Sequence, residues 1–252
     1  MIGNGMLRKG MKTYLRGVNT VNDLMRKLRT FFRWCEDRGY IKSSPFANYH
    51  ICSDLYGTPY YLTLEERKRL ERLDLAGDDF LARQRDVFIF QCCIGCRYGD
   101  LIRLSAQNIN SMNIEYIASK TRNGSTKIIR IPLNVTAMSI VERYQNANGT
   151  MLLPFVSLPR YNRAIRKLLK SAGILRCVSV ADSITRLERK VPICEVAGSH
   201  LARRTFIGNL YKNIKDPSII SSMTGHTEGS RAFSRYRAID DDIKRETVAL
   251  LD

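Results

Sequence analysis

The chain contains only three histidines, His50, His200 and His226, and two of them stand in distinctive settings. His200 opens His200-Leu201-Ala202-Arg203, which puts an imidazole and a guanidinium at i and i+3, on one face of a helix. His226 follows Gly225, an imidazole at a turn, and Tyr236 comes ten residues later. Upstream, Gly95-Cys96-Arg97-Tyr98-Gly99-Asp100-Leu101 sets Arg97 and Asp100 where an apolar stretch gives way to polar chain. Lys120 lies in Ser119-Lys120-Thr121, at the end of a predicted strand. Imidazole exchanges protons near neutral pH, and guanidinium is a permanent planar cation suited to oxyanions. A phenol, with a reference pKa of about 10, attacks only with help. Each feature alone has an ordinary reading. Surface His/Arg pairs are common, an arginine at a helix C-terminus suits the helix dipole, and an edge lysine is usually just solvated. The dipole reading leaves Asp100 and the flanking glycines unexplained.

The elements that must carry these residues can be traced from pattern. Residues 1–18 are basic and interrupted by Gly3, Gly5, Gly10 and Gly17, which predicts irregular chain. Thr20 is placed to N-cap a helix with an apolar stripe of Val21, Leu24, Met25, Leu28, Phe31, Phe32 and Cys35, ended by Gly39; such a stripe must bury against something. Ser43 to Pro59 reads as a linker rich in turn formers. Thr63 with Glu66 forms a capping box. Residues 80–96, with Val87 to Phe90 apolar in succession, predict a central core helix. Strands are predicted at 112–119 and 126–133 around Asn123-Gly124, whose residues tolerate the positive φ of a tight hairpin. Helices follow at about 134–146, 159–172, 200–214 and 216–224, while 176–199 has no firm reading. The fold class is therefore mainly α with a small antiparallel β-sheet. Two domains are expected, 1–55 partial and helical with its linker, and 56–252 carrying the chemistry.

Charge narrows the partner. The formal net charge is +17, an excess that costs self-repulsion and is explained most simply by a polyanion. An anionic membrane surface is the other candidate, but no basic amphipathic helix has a free bulky apolar face. No apolar run approaches the roughly 20 residues that span a bilayer, and no secretory h-region follows the basic start. Seven cysteines, an odd number, fit a reducing cytoplasm better than a disulfide framework. Cys93 and Cys96 form a C-x-x-C, yet no second ligand pair follows at zinc spacing, so core packing is the better reading.

In chain order the singled-out residues read Arg, Lys, His-x-x-Arg, Gly-His, Tyr. With them the chain resembles the tyrosine recombinase (phage integrase) family over roughly residues 60–252. Ser199 to Phe206 and Phe233 to Arg237 are similar to integrases of conjugative transposons and related mobile elements. The resemblance implies the family's catalytic-domain fold, preceded by a partial helical core-binding (SAM-like) domain. It implies cleavage and religation of DNA through a 3′-phosphotyrosine on Tyr236. Arg97, Arg203 and His226 would hold the phosphate, His200 would accept the phenolic proton and Lys120 would protonate the leaving 5′-oxygen, with Asp100 orienting this group. Lys127, in the same hairpin, is the alternative acid. No metal or cofactor is implied, because cationic side chains take that place. Double-stranded DNA is the implied partner, with other protomers in a tetrameric synapse and accessory DNA-bending proteins. The family usually carries a larger core-binding domain, so the roughly 55 residues before the linker imply a shortened one. The tail from Asp240 to Asp252 is expected to dock on its own domain or a neighbour's. Two other readings share the scaffold: type IB topoisomerase-like relaxation and a non-catalytic DNA-binding regulator.

Overall fold

The computed structural model describes residues 15–119, 128–145, 150–214, 216–225 and 248. Lys120, Lys127, the Asn123-Gly124 turn, His226, Tyr236 and nearly all of the tail lie outside the described residues. The chain divides into two compact units. One takes the chain up to Gly57 together with Ser179–Arg189; the other takes Thr58–Val178 and the chain from Lys190 onward.

In the first unit, helix α1 spans Val18–Asp37. It starts two residues before Thr20, with Gly17 in the N-cap position and no side-chain cap. Gly39, at φ +73°, turns the chain off its end, and Tyr40 N–H returns to the Cys35 carbonyl at 2.9 Å. The predicted stripe is only partly covered. Cys35 is buried, but Val21, Leu24, Leu28 and Phe31 are exposed. The stretch read as a linker is irregular but pinned to α1. Asp54 accepts from Asn22 Nδ2 at 3.0 Å, from Arg26 and from Tyr56 Oη, and these donors, Arg26 first, hold its carboxyl down to about 2.

In the second unit, α2 spans Leu64–Glu71 behind the predicted Thr63/Glu66 capping box. Helix α3, Asp79–Ile94, is capped by Asp78 and stopped by Gly95 in the left-handed region. Its Val87, Phe88, Ile89, Phe90 and Ile94 are buried. Each stabilises the fold by about 1.5–3 kcal/mol through burial. A short α4 (Tyr98–Leu101) follows. Strand β1 (Ile109–Asn110) pairs with β2 (Asn113–Ile117), which pairs with β3 (Ile128–Pro132), all antiparallel. Ile114, Tyr116, Ile129 and Ile131 face the core, while Glu115 and Arg130 pair outside at 3.0 Å. Helices α5 (Val135–Tyr144) and α6 (Leu158–Ser171) come next. Buried Asp86 ties α3 to α5 by accepting from Arg143 and from Tyr144 Oη.

The unread stretch 176–199 forms β4 (Cys177–Ala181), β5 (Glu188–Pro192) and a four-residue α7 (Ile193–Val196). Both strands are largely unburied, so neither shows the period-two alternation that marks a half-buried strand. Helix α8 spans His200–Asn213 and α9 spans Pro217–Thr224. Helix α3 is the hub, packing on α2, α5, α6 and α8. Cys92, Cys93 and Cys96 are free and buried beside it, and burial pushes their thiols up. Among the described residues no His/Cys/Asp/Glu group is arranged to hold a metal, and no helix is long and apolar enough to cross a membrane.

Candidate active site

Two helix ends meet at Arg203. It sits one turn into α8 with 1% of its surface exposed. Its Nη1 donates to the Gly95 carbonyl at 2.9 Å and its Nη2 to the Thr224 carbonyl at 2.7 Å. Those carbonyls belong to the C-terminal ends of α3 and α9, where backbone acceptors lack helical partners. One planar fork thus closes two helices at once, and the partial negative charge of both ends helps a buried cation exist there.

Both helices end in the same way. Gly95 has φ +61° and Gly225 φ +63°, a conformation that costs glycine least. A Cβ at Gly95 would collide with the Phe206 ring, and one at Gly225 would meet Ile129 Cδ1 at 2.8 Å. The two glycines let α3 approach α8 and α9 approach β3 closely. In the sequence Arg97 follows the first glycine by two residues and His226 follows the second by one.

Arg97 is half-buried, extended at φ −74° and ψ 153°, in the N-cap position of α4. Its carbonyl accepts from Asp100 and Leu101 N–H, which closes the turn. The preceding carbonyl, Cys96, accepts from Gln91 Nε2 at 3.0 Å. Asp100, 4% exposed, points toward the end of the β2 chain. It accepts from Ser119 N–H at 2.9 Å, from the Ser119 hydroxyl, and from Arg103 Nη2 at 2.9 Å. The residue after Ser119 is Lys120.

His200 begins α8 and is exposed. The protein packed around it disfavours the charged imidazole, and the Arg204, Arg203 and Arg97 guanidiniums add repulsion. Together they hold its pKa down to about 4. The ring is therefore neutral at pH 7, with a lone pair available to take a proton. Arg204 lies 4.9 Å over the Tyr60 ring, and Tyr60 Oη donates to the Val196 carbonyl.

The described part of the structure brings Arg97, Asp100, His200 and Arg203 to one place, with Gly225 at its rim. Sequence reasoning had not pointed to Ser119, Gln91 or the carbonyls of Gly95 and Thr224. Only Gln91 left a trace, as a polar residue inside the apolar run of α3.

Residues 66–242 match the phage integrase family, well over half of the sequence. The chain belongs to the phage integrase family of tyrosine recombinases. Tyrosine recombinase XerC of Oceanobacillus iheyensis is 23% identical over 230 residues, which is 90% of this chain and 72% of that protein. Among solved structures, the Tn1549 transposon integrase in complex with circular intermediate DNA superimposes with a TM-score of 0.64 at 18% identity, covering 92% of this chain and 79% of that one. A lambda integrase dimer bound to a COC′ core site gives 0.63 at 17% identity, covering 89% and 74%. The mainly helical fold with small antiparallel sheets is that of tyrosine recombinase catalytic domains.

Proposed function

We propose that this tyrosine recombinase is a site-specific integrase that cleaves and rejoins double-stranded DNA through a 3′-phosphotyrosine bond to Tyr236. The observation that carries the reading is the convergence of Arg97, His200 and Arg203, with Asp100 holding the residue before Lys120. A phosphodiester is anionic and repels nucleophiles. Arg97 and Arg203 supply positive charge, Arg203 held rigidly from behind by two helix ends. Charge that is already in place stabilises the pentacoordinate transition state with little reorganisation.

The Tyr236 oxygen attacks phosphorus, and its phenolic proton passes to His200, neutral because its surroundings disfavour the imidazolium. The P–O5′ bond breaks, and the 5′-oxygen takes a proton from Lys120. The products are a 3′-phosphotyrosine and a free 5′-hydroxyl, and religation runs the same transfers backward. A bound phosphate would offset the guanidinium repulsion at His200, raising its basicity as substrate arrives. His226 adds a hydrogen bond to the same phosphate.

The net charge of +17 and the DNA in the solved relatives support a DNA duplex as partner. The dimer of the lambda integrase structure supports protomers acting together, and a tetrameric synapse is the assembly proposed here. The test is a nicked duplex carrying the element's own attachment site, run on a denaturing gel. A covalent protein–DNA band is expected. Its absence with intact binding leaves a non-catalytic DNA-binding regulator, while relaxation of supercoiled plasmid without any site makes the chain topoisomerase-like.

A further inference from the structure

The core helix α3 carries a fully buried amide near its C-terminal end. Gln91 has no exposed surface, one turn before the end of α3. Burying an amide without partners costs about 1–3 kcal/mol, so a packing role alone favours leucine or methionine there. Both ends of the side chain are engaged. Nε2 donates to the Cys96 carbonyl at 3.0 Å, and Oε1 accepts from Tyr161 Oη at 2.9 Å. The main chain of Gln91 works on the same turn, since its carbonyl accepts from Gly95 N–H at 2.8 Å. Tyr161, on α6, is 1% exposed, and its ring stacks on Tyr98 with centroids 5.8 Å apart. Tyr98 in turn donates to the Val156 carbonyl.

The segment Gly95–Tyr98 is therefore gripped at successive points: Gly95 by Arg203 and by the Gln91 main chain, Cys96 by the Gln91 amide, Tyr98 by Tyr161 and Val156. Arg97 lies between the last two. Helix α3 is already closed at Gly95, so the amide bond to Cys96 is not needed to end it. What that bond does is set the plane of the peptide that leads into Arg97.

We infer that Gln91, backed by the Tyr161 hydroxyl, is a positioning residue that aims the Arg97 guanidinium at the scissile phosphate. The inference rests on the recombinase reading above. It assigns Tyr161 a role in catalysis that is neither nucleophilic nor only packing.

The experiment measures single-turnover cleavage of a nicked substrate, DNA affinity and thermal stability for Gln91→Leu and Tyr161→Phe. Each is made alone and in an Arg97→Lys background. Losing a group that orients a working side chain slows the reaction by about 10- to 100-fold. Gln91→Leu is expected in that range, and Tyr161→Phe several-fold, with DNA affinity within about twofold of the parent. In the Arg97→Lys background the Gln91→Leu effect shrinks to about threefold or less and the Tyr161→Phe effect disappears, because the residue being aimed is gone. Equal rate losses in both backgrounds, or a loss of affinity matching the loss of rate, overturn the inference. If Gln91→Leu does not fold, the Tyr161→Phe cycle decides alone, since that change keeps the ring and its stacking. A full cleavage rate in Arg97→Lys itself contradicts the recombinase reading and is thereby separable.

Discussion

Arg203 donates from Nη1 to the carbonyl oxygen of Gly95 at 2.9 Å, two residues before Arg97. Its other terminal nitrogen holds Thr224, two residues before His226. A lysine has one nitrogen on a flexible stem and cannot span both carbonyls. Arg203→Lys should therefore lower stability by about 1–3 kcal/mol for the buried acceptor left unpaired. It should also slow cleavage strongly. Arg97→Lys, at a half-buried position, should slow cleavage with little change in stability. Denaturant unfolding beside single-turnover cleavage separates the two; equal stability losses would mean that Arg203 is not the clasp described.

The Asp100–Ser119 bonds carry a second expectation. If Asp100 acts by anchoring the chain before Lys120, removing it should impair protonation of the leaving oxygen. A substrate whose bridging 5′-oxygen is replaced by sulfur has a leaving group that needs no proton. Lys120→Ala should lose most cleavage of the normal substrate and recover it on the sulfur substrate, and Asp100→Ala should recover in part. Lys127→Ala should behave like the parent on both. Rescue of Lys127→Ala in place of Lys120→Ala would transfer the acid role to Lys127.

Much of this architecture is legible in the sequence. The Thr63/Glu66 box, the core helix of residues 80–96 and the two strands of the hairpin are local patterns, and they form as the sequence predicts. The misses were tertiary or stereochemical. Strand β1 carries no sequence signal because its turn places Ser111 and Met112 at positive φ, where neither residue is usual. The α1 stripe predicted burial that the described residues only partly supply. At the site, the residue types and order were readable, but their partners were not. Ser119, Gln91, Tyr161 and the Gly95 carbonyl come together only through contacts distant in sequence.

His200 predicts a pH dependence with a definite sign. Its folded pKa, about 4, lies below the ordinary 6.5, so between those values the unfolded chain binds more protons than the native one. Stability from this group is complete above about 6.5 and is lost as pH falls toward 4. Asp54, held down to about 2, loses its contribution in a separate window below about 4. His200→Gln should flatten the change in melting temperature between pH 7 and pH 5. An unchanged slope in that variant would show that the imidazole is not the group responsible.

Electrostatics should govern binding. With a net charge of +17, log affinity for duplex DNA should fall linearly with log salt, by about 0.9 for each phosphate neutralised. Titration by fluorescence anisotropy at several salt concentrations measures the slope. A flat response would remove the polyanion argument.

The central claim is that Tyr236 becomes covalently joined to DNA. The most direct measurement is to trap the adduct on a nicked attachment-site duplex, digest it and locate the modified peptide by mass spectrometry, with Tyr236→Phe run in parallel. The account predicts a nucleotide-bearing peptide containing Tyr236, and no adduct from Tyr236→Phe at nearly unchanged DNA affinity. An adduct that persists in Tyr236→Phe, or that maps to Tyr211 or any other residue, contradicts it.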